Sequence, residues 1–129
     1  MNILVINSGS SSLKFQLYQA GTRQKKFTVL CKGIVDGIGL KTCEFRMENG
    51  AKSWTQNMAC GNHERALKFI LSAVIKEKIL NSLNDIHAIG HRVVHGGEQY
   101  RDSVRITPKT IATIQKLAEL APLHNPPNL

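Results

Sequence analysis

The sequence predicts an α/β fold on three observations: opening runs with a period of two, a later switch to helical spacing, and an aliphatic segment between two such helices. Residues 3–6 form a continuous aliphatic run ended by Asn7-Ser8-Gly9, the pattern of a short strand buried on both faces. Beyond a serine-rich turn, Leu13, Phe15 and Leu17 alternate with Lys14, Gln16 and Tyr18, so a second strand has one apolar and one polar face. The short turn lets these two strands pair antiparallel. A third strand follows over 27–35, giving an antiparallel three-strand start. Residues 43–48 and 52–57 extend it as a hairpin, because Asn49-Gly50 between them tolerates the positive φ such turns need.

The period then changes. Between Asn62 and Leu80 the apolar residues Leu67, Ile70, Leu71, Val74 and Ile75 fall on one helical face, with Asn62 as N-cap and Glu64 near the positive helix end. Residues 86–91 read as a strand that a crossover helix would set parallel to its neighbour. A second helix opens with Thr107 as cap and Pro108 as its first residue; Ile111, Ile114, Leu117, Ala118 and Ala121 line its buried side, and Pro122 closes it. Asn125-Pro126 resembles a third helix start that stops within a turn, so the chain is expected to be a truncated single domain, 1–129.

Composition narrows the class. The 129 residues carry 42% apolar and 20% charged side chains, ordinary for a soluble domain with one core. No apolar run approaches the roughly 20 residues that span a bilayer, and the apolar start lacks a basic leader and a small-residue cleavage site, so no membrane contact and a cytoplasmic location are expected. Cys31, Cys43 and Cys60 form no CxxC pair and predict reduced thiols. The net charge of +8 suits an anionic partner. A basic nucleic-acid-binding module is one reading of that charge, but no aromatic residues interleave with the basic ones, and no nucleic-acid partner is expected. An acidic remainder of a longer chain also accounts for the excess.

Two segments carry chemistry. Asn7-Ser8-Gly9-Ser10-Ser11-Ser12-Leu13-Lys14 joins the first two strands with glycine, hydroxyls and a lysine on the polar face. Converging amides and hydroxyls with a nearby ammonium make a phosphate cradle without a Walker motif, and Asn7 can address a metal, its water or a phosphate. The same residues also make an ordinary Gly/Ser hairpin turn with a solvated lysine. Gly90-His91-Arg92-Val93-Val94-His95-Gly96-Gly97 leaves the carboxyl end of the expected parallel strand, where open α/β sheets gather ligands. The guanidinium of Arg92 suits a carboxylate or phosphoryl group, with Val94 as an apolar wall. A surface ion pair of Arg92 with Glu98 or Asp102 is the plainer alternative. His91 and His95 are four apart, but on a strand-to-loop segment with no third ligand, and zinc is not expected.

These two segments together with Ala121-Pro122-Leu123-His124-Asn125-Pro126 resemble, in the same order, three signatures of the acetate kinases. The resemblance covers the whole chain. It implies a ribonuclease H-like, actin-like ATPase domain in which parallel strands with crossover helices follow the antiparallel start. The chain would be the N-terminal domain, with the C-terminal nucleotide-binding domain absent. It also implies Mg²⁺-dependent transfer of a phosphoryl group between ATP and acetate, giving ADP and acetyl phosphate, by a homodimer. Ser10, Ser12 and Lys14 would line the ATP phosphates, and Asn7 would serve the metal. Arg92, Val94, Leu123 and His124 would bind the acid. The catalytic aspartate, a second arginine and a histidine of the family would lie downstream, so this chain alone is expected to be inactive. Propionate kinases share these motifs and give the nearest alternative.

Overall fold

The computed structural model describes residues 1–22, 26–93, 96–120, 122 and 125–129, the side chains of 119 and 120 excepted. Six strands form one mixed sheet in the order β5-β4-β3-β2-β1-β6. They are β1 (Asn2–Ser8), β2 (Ser12–Ala20), β3 (Phe27–Asp36), β4 (Cys43–Asn49), β5 (Lys52–Met58) and β6 (Ala88–His91). β1 to β5 run as an antiparallel meander, as their alternation and turn residues require. β6 returns through the helix α1 (His63–Lys76) and a 3₁₀ turn at Leu83–Asp85 to pair parallel with β1. α2 (Pro108–Lys116), a second 3₁₀ turn at Leu117–Leu120 and α3 (Asn125–Asn128) follow. Among the described residues the sheet holds a single parallel pair, β1 with β6, where several parallel strands were expected.

Strand alternation sorts side chains to two faces. On one, Leu4, Ile6, Leu13, Phe15, Leu17, Cys31, Val35, Phe45 and Met47 are buried, and Ala66, Ile70 and Val74 of α1 pack within the same core. Phe45 stacks on Phe15 at 6.4 Å and meets Phe69 of α1 edge-on at 4.9 Å, so aromatic contacts fasten the helix to the sheet. All three cysteines are free and buried here, and burial pushes the Cys31 thiol up to about 11. The other face is open. β1 was expected to be buried on both faces; instead Leu4 and Ile6 are buried while Val5 is 37% exposed, because α1 covers one side alone.

Helix ends follow local chemistry. The Asn62 side chain accepts a hydrogen bond from the Arg65 N–H at 2.9 Å, as an N-cap should. Asn62→Ala is expected to cost about 1 kcal/mol, read as a lower denaturant midpoint with an unchanged slope. α1 stops at Lys76 rather than reaching Leu80. Lys78 takes a positive φ of 57°, and the Ile79 and Leu80 N–H groups fold back to the Val74 carbonyl, a closing turn that still buries Leu80. β6 begins at Ala88 rather than residue 86, because Ser82 and Asp85 cap the 3₁₀ turn just before it.

α2 begins as expected, with Thr107 capping Thr110 and Pro108 in the first turn. Its buried side differs: Ile114 is buried, but Ile111 is 39% exposed and Thr110 takes the interior position. The Thr110 hydroxyl donates to the Arg105 carbonyl at 3.2 Å, which turns that side inward and leaves Ile111 outward. α2 gives way to the tighter 3₁₀ turn after Lys116 instead of running to residue 121.

Candidate functional site

The open face of the sheet carries a cleft of about 680 Å³ lined by Asn7, Lys14, Gln16, Lys32, Arg46, Glu48 and Arg92, with Val5 and Ile34 as its apolar floor. Sheet register explains why these side chains meet. Asn7 lies directly opposite Lys14, Lys14 opposite Ile34, and Ile34 opposite Arg46. On the other side, His91 pairs with Ile6 and the Arg92 N–H donates to the Ile6 carbonyl at 3.0 Å, so Arg92 extends the row beside Asn7. Arg92, just past the end of β6, therefore stands in line with Asn7 on β1 and Lys14 on β2, with outer backbones roughly 10 Å apart. Their side chains are long enough to converge on one anion.

Electrostatics separate the cations of this face. Lys32 pairs with Glu48 at 3.6 Å and Arg46 with Glu44 at 2.9 Å. Among the described residues, Lys14 and Arg92 have no carboxylate at ion-pair distance, so the expected alternative of an Arg92 pair with Glu98 or Asp102 does not form. Two exposed cations without carboxylate partners, flanking an amide, attract an anion rather than each other. Gln16, Lys32, Arg46 and Glu48 were not singled out from the sequence. Their signal was the polar half of each strand's alternation, which reveals a shared face only once the register is known.

The turn between β1 and β2 is tightly held. The Gly9 N–H donates to the Ser12 carbonyl at 2.8 Å, and the Ser11 carbonyl accepts from Gly37 and Ile38 N–H at 2.9 and 2.8 Å. Asn128 Nδ2 donates to the Ser8 carbonyl at 2.7 Å, and Ser8 Oγ lies 3.4 Å from His91 Nε2. The nitrogen His91 Nδ1 stands 2.7 Å from the Arg92 carbonyl, which can only accept, so it carries the proton and Nε2 receives the Ser8 hydroxyl. Glycine in a tight turn commonly serves by its freedom of φ. At Gly9 the structure uses its size instead: its φ is not positive, and a Cβ would come within 2.8 Å of Ser12 Oγ. At Gly97, by contrast, φ is +64°, and at Gly96 a Cβ would meet Tyr100.

Of the residues singled out from the sequence, Asn7, Lys14 and Arg92 share the cleft. Ser10 is exposed in the turn and Ser12 opens β2; neither lines the cleft, because the turn carries them past the end of the row that Asn7 and Lys14 form. Val94, Leu123 and His124 lie outside the described residues, as does His95. Arg92 also borders a second cavity of about 810 Å³, walled by Ile89, Val104, Ile106 and Ile114. No group of three or more His, Cys, Asp or Glu side chains able to hold a metal occurs among the described residues. Asn7 offers one neutral oxygen, which suits a hard cation that keeps most of its water and phosphate ligands but does not make a metal site alone. Nor is any described helix long and apolar enough to cross a membrane.

Residues 2–129 match the acetokinase family. The chain is 45% identical over 127 residues to the propionate kinase of Escherichia fergusonii, covering 98% of this chain and 30% of that protein. It is 43% identical over 129 residues to the acetate kinase of Onion yellows phytoplasma, covering 100% of this chain and 30% of that one. The crystal structure of Porphyromonas gingivalis acetate kinase superposes with a TM-score of 0.91 at 38% identity, over 98% of this chain and 32% of that chain. A propionate kinase from Francisella tularensis superposes with a TM-score of 0.83 at 34% identity, over 98% and 31%. The chain thus spans about 30% of the length of the curated relatives it matches.

Proposed function

The chain belongs to the acetokinase family, and from that premise we propose that the complete protein transfers the terminal phosphoryl group of ATP to acetate, forming ADP and acetyl phosphate. In this reading the chain is the N-terminal, actin-like domain, and the nucleotide-binding domain follows it. The complete protein is a cytoplasmic homodimer whose subunits associate largely through the remainder. The observation that carries the proposal is the row of Arg92, Asn7 and Lys14 along one cleft, with both cations lacking carboxylate partners among the described residues.

The chemistry asks little covalent work of the protein. A carboxylate oxygen attacks the terminal phosphorus in line, the bond to the bridging oxygen breaks, and ADP leaves. Arg92 holds the acid through its planar fork of donors, and the family resemblance assigns Val94, Leu123 and His124 to the same acid. Lys14, with the hydroxyls of Ser10 and Ser12, neutralises charge on the phosphates. Asn7 would offer its amide oxygen to Mg²⁺ or to a water bound to it, and the metal arriving with ATP would supply the remaining charge neutralisation.

Propionate is the second reading, favoured by the 45% identity to a propionate kinase, similar to the 43% to an acetate kinase. Steady-state turnover of the complete protein with Mg-ATP and acetate, propionate or butyrate decides between them through kcat/KM. No turnover with any of the three acids would overturn the proposal. The chain of 129 residues alone is expected to show no ATP- and acetate-dependent turnover in a coupled assay, because the catalytic aspartate, second arginine and histidine that the family resemblance implies are assigned to the remainder.

A further inference from the structure

Three carbonyls of the serine turn accept hydrogen bonds from outside it, each from donors far away in sequence. His63, the first residue of α1, has Nε2 at 2.6 Å from the Gly9 carbonyl. A carbonyl only accepts, so Nε2 carries the proton. Asn128 holds the Ser8 carbonyl, and Gly37 and Ile38 hold that of Ser11. Carbonyl oxygens facing an anion would repel it. Hydrogen bonds from Asn128, His63, Gly37 and Ile38 engage those of Ser8, Gly9 and Ser11, while Lys14, at the start of β2, lines the cleft.

The His63 contact is the one side-chain bond among these that ties the turn to α1, and α1 is itself built into the core through Ala66, Ile70 and Val74. Asn62, the residue before it, caps the same helix. The imidazole therefore starts from a fixed backbone and is half-buried, so its reach to Gly9 is set by the packing of helix on sheet. We infer that His63 is a positioning residue: by holding the Gly9 carbonyl it fixes the anion-binding conformation of residues 8–12. This deepens the proposed function and rests on it only for the identity of the anion.

The test compares the complete protein with its His63→Ala and His63→Gln variants, because the glutamine amide can also donate to Gly9. Two readouts are taken: amide hydrogen exchange over residues 8–14, and kinetics with Mg-ATP and acetate. Loss of one neutral hydrogen bond predicts exchange about fivefold faster over that segment in His63→Ala, and a KM for ATP raised about fivefold. The KM for acetate should stay within about twofold, and His63→Gln should recover at least half of each effect. Unchanged exchange in His63→Ala would overturn the inference, as would faster exchange with an unaltered KM for ATP. Equal losses in both variants accompanied by a lower melting temperature would overturn it too, since they mark a merely structural role. If the wild-type protein phosphorylates no carboxylate, the proposed function fails while the exchange comparison still decides the role of His63.

Discussion

Replacing Arg92 by alanine in the complete protein is expected to lower kcat/KM for the carboxylate about 10²- to 10³-fold, with a much smaller change in the KM for ATP. The size follows from what would be lost. A guanidinium presents two parallel charge-assisted hydrogen bonds to a carboxylate, and no other cation lining the same cleft can replace them: Lys14 stands two strands away, while Lys32 and Arg46 are engaged with Glu48 and Glu44. The backbone of Arg92 is anchored through its N–H to the Ile6 carbonyl, so the side chain departs from a fixed point at the end of β6. Arg92→Lys keeps the charge but loses the planar fork, and should recover only about tenfold of the loss. Arg92 is exposed and makes no ion pair with a described residue, so the melting temperature should hardly move. Turnover of Arg92→Ala at the wild-type rate, or a loss explained by unfolding, would remove the assignment of this residue to the acid.

The largest effect on stability is expected at Gly33. This residue pairs with Phe15 on one side and Met47 on the other, on the buried face of the sheet. A Cβ there would lie 2.7 Å from the Phe15 ring and closer still to the Arg46 carbonyl. Phe15 cannot withdraw, being 2% exposed and stacked on Phe45, and the carbonyl belongs to a neighbouring strand. Gly33→Val should therefore cost about 3 kcal/mol or more, seen as a lowered denaturant midpoint or as insoluble protein. Gly33→Ala combined with Phe15→Leu relieves the ring contact but not the backbone one, and is expected to recover only part of the loss. A Gly33→Val protein with wild-type stability would show that β3 and β4 tolerate separation at this point.

Much of the fold could be read before any coordinates. Alternation in Leu13, Phe15 and Leu17, the Asn49-Gly50 turn, and the Asn62 and Thr107 caps are local signals, set by backbone sterics and by donors a few residues away. Asn7, Lys14 and Arg92, singled out from the sequence for side chains suited to anions, line one cleft, and their binding of an anion there is the proposal made above. Errors clustered where burial depends on what packs above an element. Val5 and Ile111 look like core residues by composition and spacing, yet each faces a side that no described element covers.

The sequence alone determined the strands, turns, helix starts and the motifs that mark the acetokinase family, because these rest on interactions between near neighbours. Tertiary structure decided the rest. Only the pairing register brings Arg92, eighty-five residues from Asn7, into line with it and with Lys14. Only the seating of α1 on one face leaves the other open as a cleft and carries His63 to Gly9. Those contacts join residues far apart in the chain, and their geometry is fixed by how the whole core packs rather than by any local preference.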